Sequence, residues 1–162
     1  MGLLRPNIEK LTARRDVAGL VELLGHAKSE IRAEAAAALG RIGDPAAAQA
    51  LGRVLAEDAD DVAAFTAALA LLDLGGEGSA LLIAVLRGDL GTASAVRAAV
   101  GALFATGPTP LDAALTSALE HCAAHGPEDV RSKASRKLAA LRPPPRHPEP
   151  PPPAPAAIAA AA

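Results

Sequence analysis

Leucines recur at Leu24, Leu55, Leu86 and Leu119, a spacing of about 31 to 34 residues that divides the chain into four similar units. A branched series, Ile31, Val62, Val96 and Val130, and a glycine series, Gly43, Gly75 and Gly107, keep the same period. A fixed period in this range predicts a solenoid, in which each unit is too small to bury its own apolar face and stacks on its neighbour.

Within the units the apolar positions follow the helical repeat. Asn7 to Arg15 predicts a short leading helix, capped by Asn7 and carrying Ile8 and Leu11 on one face. The first unit pairs a helix from Asp16 to about Ala27, with Val17, Leu20, Val21 and Leu24 inward, and a helix after Ser29 carrying Ile31, Ala35, Ala38, Leu39 and Ile42. Gly43-Asp44-Pro45 then ends one helix and begins the next. Glycine accepts the left-handed conformation, aspartate caps, and proline is tolerated in a first turn where its missing N–H costs nothing. The second unit places Ala50, Leu51, Val54 and Leu55 on its first helix and Val62, Phe65, Leu69 and Leu72 on its second, and Gly75-Gly76 closes it. The third carries Leu81, Leu82, Val85 and Leu86, a longer turn from Gly88 to Ser94, then Val96, Val100, Leu103 and Phe104. The fourth aligns Leu111, Leu115, Leu119 and Cys122, followed by Val130, Ala134, Leu138 and Leu141.

Composition reinforces the helical assignment. Of 162 residues 51% are apolar, almost wholly Ala, Leu, Val and Ile, and Ala and Leu lose little rotamer freedom in a helix. From Pro143 the chain turns to proline and alanine, which cannot build a core and favour polyproline II, so residues 143–162 are expected to form a disordered tail outside a repeat domain spanning 1–142. The net charge of −2, the absence of Trp and Tyr, and the placing of Phe65 and Phe104 at core-like positions argue against nucleic acid as a partner. Every apolar run is too short or too interrupted to span a bilayer, and no membrane association is expected. Charged Arg5, Glu9 and Lys10 interrupt any signal-peptide core, and the lone Cys122 suits a reducing compartment, so a cytoplasmic location is expected.

The stretch Glu30-Ile31-Arg32-Ala33-Glu34-Ala35-Ala36-Ala37-Ala38-Leu39-Gly40-Arg41-Ile42-Gly43-Asp44-Pro45 resembles the HEAT-like repeat first described in phycobilin lyases, and Asp129-Val130-Arg131 and Val96-Arg97-Ala98-Ala99 are weaker copies. The resemblance covers about residues 7–142. It implies an all-α superhelix of about four hairpins behind an N-terminal capping helix, whose second helices form an inner surface that holds a partner. Such arrays mostly act as adaptors and scaffolds. The expectation is a non-catalytic module binding a protein, with no cofactor. The alternative is a phycobilin-lyase-like enzyme or accessory protein.

Six basic residues are candidates for partner binding. Arg32, Arg97 and Arg131 each follow a member of the branched series, which predicts a row of guanidinium groups able to hold adjacent repeats together or to grip carboxylates and phosphates, the first role being the stronger. Lys133, Arg136 and Lys137 extend the basic end, opposite an acidic middle running from Asp44 to Asp89. His121 and His125 have a metal-binding spacing but lack a third ligand, since Cys122 falls on the core stripe. Glu57-Asp58-Ala59-Asp60-Asp61 lacks the glycine turn and terminal glutamate of a calcium loop and reads as a solvated cap. Deoxyhypusine hydroxylases, which share the repeat, bind iron through His-Glu pairs, and this chain has no His-Glu dipeptide. The run from Arg142 to Pro148 fits an R-x-x-P-x-x-P ligand for an SH3-type groove.

Overall fold

Capping groups at the helix starts set the frame on which the repeats are built. In the computed structural model, which describes residues 7–107 and 111–141, the Asn7 side chain accepts a hydrogen bond from the Lys10 N–H at 2.8 Å and opens α1 (Ile8–Ala13). Asp16 does the same for α2 (Val17–Leu23) through the Gly19 N–H at 2.9 Å. Helix α3 (Ser29–Ile42) follows and stops at Gly43, whose φ of 70° is the left-handed conformation that its sequence context predicts. Asp44 caps a short 3-10 turn, Pro45–Ala47, that leads into α4 (Ala48–Glu57). Asp60 then caps α5 (Asp61–Leu74), accepting from the Val62 and Ala63 N–H groups.

The same alternation continues through α6 (Gly76–Arg87), α7 (Ala93–Ala105), α8 (Ala113–His125) and α9 (Glu128–Leu141). All the regular structure among the described residues is helical. The long turn between α6 and α7 is accommodated by Gly91, with φ of 81°, where an added Cβ would lie 3.0 Å from the Ala56 Cα at the end of α4.

The helices form two layers. Helices α3, α5, α7 and α9 pack in sequence against one another, while α4, α6 and α8 make the opposite layer and α1 closes the start of the stack against α2 and α3. The expected leucine register holds in the first-helix layer, where Leu20, Leu51, Leu82 and Leu115 are buried, as are Leu24, Leu55, Leu86 and Leu119. Burying such side chains stabilises each by about 1.5 to 3 kcal/mol relative to exposure, which makes this seam the main apolar contribution of that layer.

The second-helix layer corrects the branched series. Caps at Lys28, Asp60 and Thr92 are 32 residues apart, so the third residue of each helix is Ile31, Ala63, Ala95 and then Val130 of α9, all buried. Val62 and Val96 stand one position early and one position late in that register. Val62 is 64% exposed and Val96 half-buried. The layer is sealed instead by alanines, Ala35, Ala67, Ala99 and Ala134, with Leu39, Leu71 and Leu103 buried one turn further on. Small residues let the helices approach closely: a Cβ at Gly40 would meet the Ala70 Cα and Cβ at 3.0 Å. Phe104, expected in the core, is 48% exposed, and Phe65 is partly buried.

Residues 143–162 and the Arg142–Pro148 motif lie outside the described residues.

Candidate functional site

The outer side of the second-helix layer carries an apolar groove bordered by charge. Helix α5 is apolar on both faces: Ala63, Ala67 and Leu71 fill the core, Val62 projects into solvent, and Phe65 packs against the core with part of its ring exposed. A helix apolar all round is normally enclosed, and here Val62 is 64% exposed with Phe65 half-buried beside it. On the adjacent helix α7, Gly101 leaves room for the aromatic ring, and a Cβ there would lie 3.5 Å from Phe65 Cδ2 and Cε2. Together with Ala98 these residues floor a groove of about 450 Å³.

Its lining carries both charges. Asp61 accepts a hydrogen bond from Ser94 Oγ at 2.8 Å, which ties α5 to α7. One turn further along α7, Arg97 is exposed at the rim together with Lys133 of α9. Their cationic groups have no hydrogen-bond or ion-pair partner among the described residues.

Of the six candidate basic residues, the structure brings Arg97 and Lys133 to this groove and separates the rest. Arg32 is committed to the stack: Nε donates to Asp58 Oδ2 at 2.6 Å, Nη2 to Asp58 Oδ1 at 2.7 Å, and Nη1 to the carbonyls of His26 and Ala27 at 2.9 and 3.3 Å. The fork thus joins α3 to the loop after α4 and satisfies carbonyls left open beyond α2. Hydrogen bonding to Arg32 holds the Asp58 carboxyl below its ordinary value, and the same bond raises Arg32. Asp58 also accepts from the Asp60 N–H, so the acidic run from Glu57 to Asp61 serves as loop structure and helix cap.

The expected equivalence of the three arginines does not hold. Arg32 and Arg131 are the fourth residues of α3 and α9, whereas Arg97 is the fifth of α7, rotated toward the groove. Val96 occupies the position equivalent to Arg32 in that unit. Arg131 and Arg136 are exposed.

Lys137 departs furthest from expectation. It is 2% exposed and fills the position held by Ala38, Ala70 and Ala102 in the preceding second helices. Its Nζ donates to the Gly107 carbonyl and to Thr106 Oγ1, the latter at 3.2 Å, capping the end of α7 from α9. Burial lowers its pKa from the usual lysine value. Lys137 is thus buried and committed to the end of α7, and it is not displayed with Lys133 and Arg136 as a surface cation.

His121 and His125 are exposed and stacked, with ring centroids 4.7 Å apart. Cys122 between them is buried and its thiol donates to the Leu86 carbonyl at 2.9 Å, while burial pushes its pKa up to about 11. Among the described residues no group of three or more His, Cys, Asp or Glu side chains is placed to hold a metal. No helix among them is long and apolar enough to cross a membrane.

The groove residues Val62, Phe65 and Gly101 escape a reading based on periodicity, which assigns exposed apolar side chains of α5 to the core. The available signal is an excess: α5 has more apolar positions than one buried face requires.

Residues 8–72 match the family model described as HEAT repeats, a stretch running from α1 through most of α5. The later hairpins continue the same two-layer stacking, so the described helices together have the architecture of a HEAT solenoid. No curated protein matches the chain.

Proposed function

We propose that this chain, with HEAT repeats over residues 8–72 as its foundation, is a non-catalytic adaptor that holds a protein partner against the outer side of its second-helix layer. HEAT repeats generally serve as protein-interaction scaffolds, which supports the reading at the level of class. The observation that carries it is the 64% exposure of Val62 beside Phe65 and the groove over Gly101. The fold leaves most of Val62 in solvent, since alanines already seal α5 against its neighbours. A reducing, cytoplasmic setting accords with the single buried thiol.

Affinity capture with the full chain and with Val62→Asp tests the reading. The variant should keep the helical circular dichroism signal and melting behaviour, because Val62 is surface-exposed. It should lose the proteins that the unaltered chain retains. Equal capture by both would overturn a partner site at this groove.

The likeness of residues 30–45 to phycobilin-lyase repeats supports a second reading, an enzyme or accessory in bilin attachment. Co-expression with a phycobiliprotein subunit and its bilin should give no coloured adduct dependent on this chain if the adaptor reading is right.

A further inference from the structure

We infer that the groove takes an acidic segment of a partner protein, with a large apolar side chain seated on Val62 and Phe65 over Gly101 and carboxylates facing Arg97 and Lys133. The inference rests on the adaptor reading and specifies the chemistry of what that adaptor holds.

The floor selects the anchor. Phe65 lies against the open face of Gly101, and Val62 projects beside it with most of its surface in water. An aliphatic or aromatic side chain entering here removes apolar area from both partners, the dominant favourable term in such contacts.

The rim selects the charge. Arg97 and Lys133 approach from two successive second helices, and neither has a charge partner among the described residues. Arginine offers a planar fork and lysine a point charge, so a carboxylate pair is matched on one side of the anchor. Asp61 is the single acidic residue of the lining, and Ser94, one turn before Arg97 on α7, already binds it. Two cations without partners against one occupied carboxylate leave the rim net positive, which favours a segment with its acids toward α7 and α9. Arg136, exposed on α9 further along the helix from Lys133, extends the positive side.

Phage-displayed random peptides of about twelve residues, selected on the immobilised full chain, provide the probe. Enriched peptides should combine Leu, Phe, Met or Trp with Asp or Glu within about four positions, and should weaken at higher salt as screening shortens the field. Arg97→Glu with Lys133→Glu should reduce binding of those peptides by about tenfold or more, and replacing their acids by Lys should restore binding to the doubly reversed chain. Enrichment without acidic bias but with loss on Val62→Asp would overturn the acidic assignment while leaving the adaptor reading in place. A failure to enrich, or binding unaffected by Val62→Asp, would overturn both. Sedimentation showing a dimer of this chain that Val62→Asp dissociates would overturn the inference by making a second copy the occupant.

Discussion

Arg32 and Asp58 form a bidentate ion pair, with nitrogen to oxygen distances of 2.6 and 2.7 Å, between the second helix of one repeat and the loop after the first helix of the next. The Asp58 side chain is 7% exposed and that of Arg32 17%, so the contact is shielded far better than an ordinary surface pair. Arg32→Ala should destabilise the chain by about 1.5 to 3 kcal/mol, the range for a hydrogen bond to a charged group. A double-mutant cycle with Asp58→Asn, read by urea denaturation, should return a favourable coupling of about 0.5 to 3 kcal/mol. Arg32→Lys should not rescue it, because an ammonium group cannot reproduce the fork.

The same pair gives the stability an acid limb. Hydrogen bonding to Arg32 lowers the Asp58 pKa in the folded chain, so the unfolded chain binds the proton more readily. The contribution of Asp58 is therefore complete above its ordinary value of about 4 and is lost as pH falls through the lowered value. Unfolding free energies measured from about pH 7 down to about pH 3 should decline less steeply in Asp58→Asn than in the unaltered chain.

Lys137 and Arg136 are neighbours with opposite sensitivities. Lys137→Met keeps the length of the side chain but leaves the Gly107 carbonyl without its donor, at a cost of about 1 to 3 kcal/mol. Lys137→Glu should cost more, since it sets a carboxylate against the carbonyl end of α7. Arg136→Glu, at an exposed position, should change stability by no more than about 0.5 kcal/mol. Thermal and urea denaturation of the three variants separates capping from surface charge.

Leu39→Ala should cost about 2 to 5 kcal/mol, because the side chain is fully buried and its removal leaves a cavity. Val62→Ala should cost about 0.5 kcal/mol or less. Comparable losses at the two positions would place Val62 in the core and shift the register of α5.

The Cys122 thiol should resist modification while the chain is folded. With its pKa near 11 and its sulfur enclosed, roughly one molecule in a thousand carries thiolate at about pH 8. Reaction with a chromogenic disulfide should be slow in buffer and fast in denaturant. Rapid modification under both conditions would contradict its burial.

The pairing of helices was legible in the chain because leucine at Leu24, Leu55, Leu86 and Leu119 carries a strong apolar signal at a regular interval. Caps and stops at Asn7, Gly43 and Asp44 were legible for the same kind of reason, each residue having a backbone preference that few others share. Register within the second helices was not. Ala63 and Ala95 hold the core positions, and alanine announces burial weakly, so the larger Val62 and Val96 attract the assignment. That slip of one residue also concealed the groove and made Arg97 look equivalent to Arg32. Lys137 was unreadable for another reason: the Gly107 carbonyl and Thr106 Oγ1, brought in from the turn after α7, explain a lysine where alanine recurs.

The alanines between α3, α5, α7 and α9 have a geometric consequence for the array as a whole. Ala35, Ala67 and Ala99 are fully buried where successive second helices meet, so the separation of those helices is set at these positions by a single methyl group. Side-chain bulk at Ala35, Ala67 and Ala99 is then a dial for spacing. Adding carbon there would push the second helices apart and alter the breadth of the groove over Gly101 from beneath without touching one of its lining atoms.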